Sequence, residues 1–132
     1  PIPANIPAEH LSRSPEVVRS FESDPLVHDR ITPRLFDQIS AAMGLAVRQI
    51  DRIRVPLLFL IAGSDRIVDA QRSTALADTL RRRAPELTVR TYPASYHELL
   101  NEPDRALVMA DIRSWIETRR GSDAVGTELP HD

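Results

Sequence analysis

The chain has 132 residues, of which 42% are hydrophobic, and its formal net charge is −2 at pH 7, so it is long enough to bury one hydrophobic core. It contains no Cys, and all 17 of its basic residues are Arg, which excludes disulfides, thiolate metal sites, Walker-type phosphate loops and Schiff-base lysines within this segment. Charges of both signs are mixed along the chain, so no basic face for nucleic acid stands out. No apolar run approaches the roughly 20 residues that span a bilayer, and no leader opens the chain, so we expect a soluble, cytoplasmic protein.

The first fifty residues predict two helices after an irregular, proline-rich start. Ser14-Pro15-Glu16 has the order of an N-cap, a first-turn proline and an acidic first turn, which predicts a short helix to about Phe21. Thr32-Pro33 begins a longer helix by the same rule. Its apolar residues recur at helical spacing and should share one buried face: Leu35, Phe36, Ile39, Met43, Val47 and Ile50.

The rest of the chain alternates strand and helix. Residues 55–61 form a nearly unbroken apolar run, as in a parallel strand covered on both faces, and residues 87–92 form a second strand. Helices are predicted over residues 69–83 and from residues 101–103 to about residue 120. Their predicted inward side chains are Ala75, Leu76, Leu80, Val108, Ile112, Trp115 and Ile116. The order predicts an α/β fold with parallel strands and right-handed crossovers, followed by a disordered tail over residues 121–132.

Two chemically active residue types follow the two predicted strands. Asp65 comes after Gly63-Ser64 at the end of the first strand, and His97 lies in the loop after the second. Because functional groups gather at the carboxyl ends of parallel strands, we expect these two side chains to meet. An Asp followed by a His matches the last two members of the Ser…Asp…His order of an α/β-hydrolase triad. Arg66 either helps to keep Asp65 ionised or has a structural role.

Each of these residues also has a simpler interpretation. Asp65 by itself is equally typical of a turn residue that hydrogen-bonds its own backbone, and His97 by itself is typical of an ordinary loop histidine. Asp69 competes with Asp65 for the acid role, although its position before a predicted helix favours an N-cap. Glu98 and Glu102 are interpreted as ion-pair or capping residues.

The nucleophile of such a triad is missing from the sequence. A nucleophile elbow requires Gly-x-Ser-x-Gly, because only small residues allow the sharp strand-to-helix turn that exposes the Ser hydroxyl. The four glycines occupy positions 44, 63, 121 and 126, so no two of them are four apart. None of the serines lies in a strand-turn-helix setting. We therefore expect that no serine of this chain is the nucleophile.

Four segments carry a family resemblance: residues 24–27 (DPLV), 55–69 (VPLLFLIAGSDRIVD), 92–103 (YPASYHELLNEP) and 111–116 (DIRSWI). They closely resemble the C-terminal half of monoacylglycerol lipase and lysophospholipase-like α/β-hydrolases, and the match covers about residues 11 to 119. The resemblance implies an α/β-hydrolase fold, represented here by the C-terminal portion of the parallel sheet with flanking helices and part of the cap. Residues 1–31 would be the rear of the cap, and residues 32–120 the C-terminal part of the core.

The resemblance also assigns roles to residues. Asp65 matches the triad acid, His97 the triad base, and Val68 a position that lines the alcohol side of the substrate pocket. The Ser elbow and the oxyanion His-Gly motif would both lie before Pro1. No metal or cofactor is implied, and the remaining histidines, His10, His28 and His131, lack metal-ligand spacing.

The expected function is therefore a serine ester hydrolase acting on monoacylglycerol-type or related carboxylic esters. Its expected partners are a lipid-like or small ester substrate and the N-terminal half of the same hydrolase, with no nucleic acid and with a peripheral membrane contact through the cap. The chain alone is expected to be inactive. The alternative is a non-catalytic α/β binding or assembly module derived from a truncated hydrolase. Acyl length and the alcohol moiety stay open.

Overall fold

Two parallel strands form the centre of the protein, as seen in a computed structural model that describes residues 1–4, 6–83 and 86–124. Strand β3 (Leu57–Ala62) pairs with β4 (Leu87–Tyr92) in parallel. The register sets Leu57 opposite Leu87 and Ala62 opposite Tyr92, so the two strands end at the same level. The predicted parallel α/β arrangement is confirmed for this pair. The loops that follow the strands are thereby placed side by side.

Two shorter strands precede this pair. Strand β1 (Ile2–Pro3) pairs antiparallel with β2 (Arg30–Ile31), in a region that the sequence predicted to be irregular. The backbone N–H of Ala4 extends this pairing by donating to the carbonyl of Asp29 at 2.6 Å. Two-residue strands are too short to leave a hydrophobic alternation, which is why the sequence pattern did not indicate them.

The described residues form four α-helices: α1 (Pro15–Ser23), α2 (Pro33–Arg48), α3 (Ala70–Arg81) and α4 (Arg105–Ala124). Two of the predicted caps make side-chain hydrogen bonds. The Thr32 hydroxyl accepts from the backbone N–H of Leu35 at 3.1 Å, and the Asp69 carboxylate caps α3. Each bond satisfies a backbone donor that the first helical turn leaves without a partner. Among the described residues, no helix combines the length and apolarity needed to cross a membrane.

Several predicted boundaries were wrong by a few residues. Strand β3 begins at Leu57 rather than Val55, because Pro56 has no N–H for the ladder. Helix α4 begins at Arg105 rather than at residues 101–103, since Glu102 is buried in an ion pair instead of opening the helix. It also continues to Ala124, past the predicted end near residue 120, because one glycine costs a helix about 1 kcal/mol without removing a hydrogen bond. Residues 125–132 of the predicted tail lie outside the described residues.

The core lies around the strand pair and is small. Ala77 and Leu80 of α3 and Val108 of α4 are buried, whereas Ala75 and Ile116, which were predicted to point inward, are exposed. The Trp115 indole N–H donates to the Thr88 hydroxyl at 3.2 Å and fastens α4 to β4, as expected of an amphipathic anchor residue.

The apolar face of α2 is exposed, contrary to its predicted burial. No residue of α2 is buried, and on the predicted face Phe36 is 55% exposed and Met43 62%. Ile50, just beyond the helix, is the exception and is 4% exposed. The helical periodicity was interpreted correctly, but periodicity does not show whether the surface that covers the face belongs to the same segment.

Candidate active site

Gly63 begins the turn that presents the candidate acid at the end of β3. A Cβ atom at this position would lie 2.6 Å from the Cα atom of Pro93, closer than non-bonded carbon atoms approach in proteins. The loop after β4 therefore packs directly against the backbone of the loop after β3. Only glycine permits this approach, which sets the separation between the two loops.

Three further hydrogen bonds join the two loops. The backbone N–H of Gly63 donates to the carbonyl of Tyr92 at 2.8 Å, and that of Ser64 donates to the carbonyl of Ser95 at 3.0 Å. The Ser64 hydroxyl donates to the carbonyl of Pro93 at 2.8 Å. This serine is therefore engaged in holding the loops together, which agrees with the expectation that it is not a nucleophile. The segments 63–65 and 93–97 are called the strand-end pair below.

The end of β4 is also fixed to helix α4. The Tyr92 hydroxyl donates to the Asp111 carboxylate at 2.8 Å. Burial, together with this neighbouring carboxylate, raises the pKa of Tyr92 to about 12. The phenol therefore stays protonated as a hydrogen-bond donor at neutral pH. It holds the strand from which the His97 loop departs.

Asp65 and His97 meet beyond the C-terminal ends of β3 and β4. Oδ2 of Asp65 lies 2.9 Å from Nδ1 of His97, and Oδ1 accepts the backbone N–H groups of Ile67 at 2.8 Å and Val68 at 2.9 Å. The Asp65 side chain is 10% exposed, whereas that of His97 is 36% exposed. The buried carboxylate thus faces a histidine whose ring reaches the surface of this chain.

The Asp65 carboxylate is held in its charged form. Burial raises its pKa, but the hydrogen bonds from His97, Val68 and Ile67 together outweigh that effect, so the pKa of Asp65 is lowered below its ordinary value. An ionised carboxylate only accepts hydrogen bonds, so the proton between the two side chains resides on Nδ1 of His97. In the neutral imidazole, the other ring nitrogen, Nε2, then carries the lone pair. Within the described residues it has no hydrogen-bond partner.

The competing residues have other roles in this structure. Oδ1 of Asp69 accepts the backbone N–H groups of Gln71 at 2.9 Å and Arg72 at 3.1 Å, so Asp69 caps α3 as predicted. The guanidinium of Arg66 stacks on the ring of Tyr96, 4.4 Å from its centroid, and it is not among the causes of the lowered pKa of Asp65. The structural interpretation of Arg66 is therefore favoured.

Val68 and the predicted cap are less completely defined by this chain. The Val68 side chain is 41% exposed, and its backbone N–H contributes to the Asp65 site. Its predicted place on the alcohol side of a pocket stays a prediction. The same holds for residues 1–31 as the rear of a cap.

Sequence reasoning missed the role of Arg13. Its guanidinium and backbone N–H both contact the buried carboxylate of Glu102, 89 positions away. Glu102 had been interpreted as an ion-pair or capping residue, and it forms an ion pair. No local pattern in the sequence indicated its partner, because the contact depends on how residues 11–14 cross the loop after His97.

The chain is similar to several known proteins. A family model described as serine aminopeptidase, S33, matches residues 1–104. A monoacylglycerol lipase of Mycolicibacterium smegmatis is 34% identical over 113 residues, which are 85% of this chain and 40% of that protein. The uncharacterized protein YnbC of Escherichia coli is 27% identical over 127 residues, which are 96% of this chain and 21% of that protein.

A solved structure is also similar to most of the chain. The crystal structure of Paleococcus ferrophilus monoacylglycerol lipase matches with a TM-score of 0.79 and 29% identity, over 86% of this chain and 44% of that one. The chain therefore spans less than half the length of these relatives. The resemblance predicted from the sequence is confirmed, and the parallel strand pair with its helices is part of an α/β-hydrolase fold.

Proposed function

The chain belongs to the serine aminopeptidase S33 family of hydrolases, and we propose that it supplies the acid and the base of a serine ester hydrolase. The observation that carries the proposal is the 2.9 Å contact between Oδ2 of Asp65 and Nδ1 of His97 at the ends of adjacent parallel strands. In a Ser-His-Asp triad this contact orients the imidazole and stabilises the imidazolium ion that forms during turnover.

The proposed chemistry is acyl transfer to a serine from outside this chain. Nε2 of His97 accepts the proton of the serine hydroxyl as its oxygen attacks the ester carbonyl, and then donates that proton to the departing alcohol. Water next attacks the acyl-enzyme and loses its proton to Nε2, which donates that proton to the serine oxygen as the carboxylic acid leaves. Asp65 stays ionised throughout, as its lowered pKa favours.

Substrates of the proposed enzyme are monoacylglycerol-type or related carboxylic esters. This choice rests on the two monoacylglycerol lipases that match the chain. It also rests on the position of Val68, next to the acid and 41% exposed, where an apolar side chain can contact the alcohol portion of an ester. A peripheral membrane contact through residues 1–31 belongs to the same proposal, as does the lack of any metal or nucleic acid in the reaction.

The proposed partner is the remaining part of the same hydrolase, which would provide the serine and the oxyanion hole. The chain covers 40% and 44% of the two lipases, and the apolar face of α2 has no cover among the described residues. A larger hydrolase domain would supply both the missing chemistry and that cover. The alternative is a non-catalytic binding or assembly module, in which the Asp65–His97 contact would have only a structural role.

Covalent labelling distinguishes these alternatives. The natural full-length protein is treated with a fluorophosphonate, which reacts with the activated serine of a serine hydrolase. We expect one labelled serine within a Gly-x-Ser-x-Gly segment, and loss of labelling in the His97→Gln variant. An unlabelled, correctly folded protein would contradict the enzyme and favour the binding module.

A chain-length series of nitrophenyl esters tests the substrate class. Each buried methylene contributes up to about 0.8 kcal/mol, or roughly fourfold, so kcat/KM should rise from acetyl toward medium or long acyl groups. A maximum at acetyl with no gain on lengthening would indicate a small-ester esterase instead.

A further inference from the structure

The carboxylate of Glu102 is a fully buried charge just beyond the candidate base. The residue is 0% exposed, and its side chain accepts the backbone N–H of Arg13 at 2.7 Å and a second hydrogen bond from the guanidinium of the same residue. Burial raises the pKa of Glu102, but the two hydrogen bonds from Arg13, with a contribution from the Tyr96 backbone, lower it more, so the carboxylate is ionised. A charge this buried is retained only with such partners.

The residues around this ion pair connect two distant parts of the chain. Besides Glu102, the Arg13 guanidinium contacts the Asp104 carboxylate at 2.6 Å. The Ser12 hydroxyl donates to the carbonyl of Asn101 at 2.9 Å, and the backbone N–H of Glu98 donates to the carbonyl of Leu11 at 2.9 Å. Residues 11–13 thus hold residues 98–104 by side-chain and backbone bonds together. We name the Arg13–Glu102 ion pair with these bonds the clamp.

His97 lies between two anchors. On its N-terminal side, the backbone bond between Ser64 and Ser95 ties the loop to the Asp65 turn. On its C-terminal side, Glu98 is the first residue held by the clamp, and Leu99 donates its backbone N–H to the carbonyl of His97 at 3.2 Å. The backbone of Tyr96, next to His97, also contributes to the lowered pKa of Glu102. His97 is therefore held between the Ser64–Ser95 bond on one side and the clamp on the other.

We propose that Arg13 and Glu102 are positioning residues that hold the His97 ring against Asp65 in the geometry that proton transfer requires. This inference rests on the proposed function, because the geometry matters for rate only if His97 is the base. Neither residue is proposed to touch substrate. Small displacements of a catalytic group reduce turnover steeply: a misplacement of about 1 Å costs on the order of 10²-fold.

The test uses the natural full-length protein and variants of the ion pair. Glu102→Gln keeps the shape and an acceptor but removes the charge, and Arg13→Gln removes the partner. The matched control is Glu86→Gln, which makes the same chemical change in the Glu86–Arg119 ion pair at the opposite end of β4. Turnover is expressed per active site titrated with a fluorophosphonate, so a merely unfolded fraction does not lower kcat.

We expect Glu102→Gln and Arg13→Gln each to lower kcat by about 10-fold to 10²-fold, with KM changed by less than about twofold. The double variant should be no worse than the more damaged single variant, because both remove the same clamp. Glu86→Gln should keep its kcat. Unchanged kcat per active site in the clamp variants, or fully multiplicative losses in the double variant, would overturn the proposal.

A milder variant covers the case in which the buried substitutions prevent folding. Asp104 is 44% exposed at its side chain and contacts only the outer part of the Arg13 guanidinium. Asp104→Asn should fold and show a smaller loss of kcat in the same direction, again without a change in KM. If Glu102→Gln does not fold and Asp104→Asn keeps full turnover, the positioning role is contradicted.

A spectroscopic readout separates this inference from the proposed function. The Nδ1 proton of His97 is held in the bond to Asp65, so it should give a slowly exchanging, downfield proton resonance in the wild-type protein. We expect Glu102→Gln to broaden or remove that resonance and Glu86→Gln to leave it in place. If the wild-type protein lacks esterase activity, the proposed function fails while this measurement still decides whether the clamp holds His97. If the resonance is unchanged in Glu102→Gln, the proposed positioning role of the clamp is wrong, and the proposed function is not affected.

Discussion

The strand-end pair and helix α2 differ in how many of their groups are in contact with the rest of the chain. In the strand-end pair, the Asp65 carboxylate is 10% exposed and is fully engaged with His97, Ile67 and Val68. In α2 no residue is buried, and the apolar face from Leu35 to Val47 lies open. The sequence predicted that Asp65 and His97 would meet and that the apolar face of α2 would be buried. Among the described residues, only the first of these expectations is met.

The difference between the two regions shows which contacts are made by residues of this chain. Asp65 and His97 are brought together by the in-register ends of two parallel strands and by the close approach of Gly63 to Pro93. All of these contacts lie within this chain. The face of α2 has the helical spacing of a buried surface, but no described residue covers it.

The largest expected effect comes from removing the base of the strand-end pair. In the full-length protein, His97→Gln should lower kcat for a nitrophenyl ester by about 10⁴-fold or more, because the variant removes the proposed base that accepts the serine proton. The fold should be retained, since the His97 ring is partly exposed. Steady-state kinetics with circular dichroism as a folding control tests this. A variant within tenfold of wild type would show that His97 has no catalytic role.

A smaller effect is expected from crowding the contact between the two loops. Gly63→Ala places a methyl group 2.6 Å from the Cα of Pro93, and the resulting backbone shift should lower the free energy of unfolding by about 1–3 kcal/mol. Gly44→Ala is the matched control in α2, where the added methyl meets only the flexible end of Arg48 at 3.1 Å. It should be neutral or stabilising by up to about 1 kcal/mol. Denaturant titrations of both variants measure the difference, and equal stabilities would contradict the close-packed strand ends.

The smallest expected change in stability concerns α2 in the chain expressed alone. Residues 1–132 should be partly unfolded, bind hydrophobic dyes and show no esterase activity, because the apolar surface lacks its cover. Phe36→Ser with Met43→Ser should reduce dye binding while changing the melt little. In the full-length protein the same two substitutions should clearly lower the free energy of unfolding. A monomeric chain of 132 residues that melts cooperatively and binds no dye would contradict the difference between the two regions.

The sequence was most informative where a local pattern determines the structure. The parallel strands, the Thr32 and Asp69 caps and the meeting of Asp65 with His97 were predicted correctly, because strand ends and caps follow from neighbouring residues. The partner of Glu102 was not predicted, since a contact across 89 positions leaves no local signal. The exposure of α2 was not predicted either, because amphipathic spacing gives the direction of a buried face but not the segment that covers it.

The most direct test of the central claim compares two neighbouring aspartates in the full-length protein. Asp65→Asn should lower kcat/KM by about 10³-fold to 10⁴-fold without unfolding, because the amide favours the wrong tautomer of His97. Asp69→Asn should stay within about twofold of wild type, because asparagine also caps helices. Parallel kcat/KM measurements on one ester substrate decide between them. An active Asp65→Asn enzyme together with an inactive Asp69→Asn enzyme would contradict the assignment of Asp65 as the acid that orients His97.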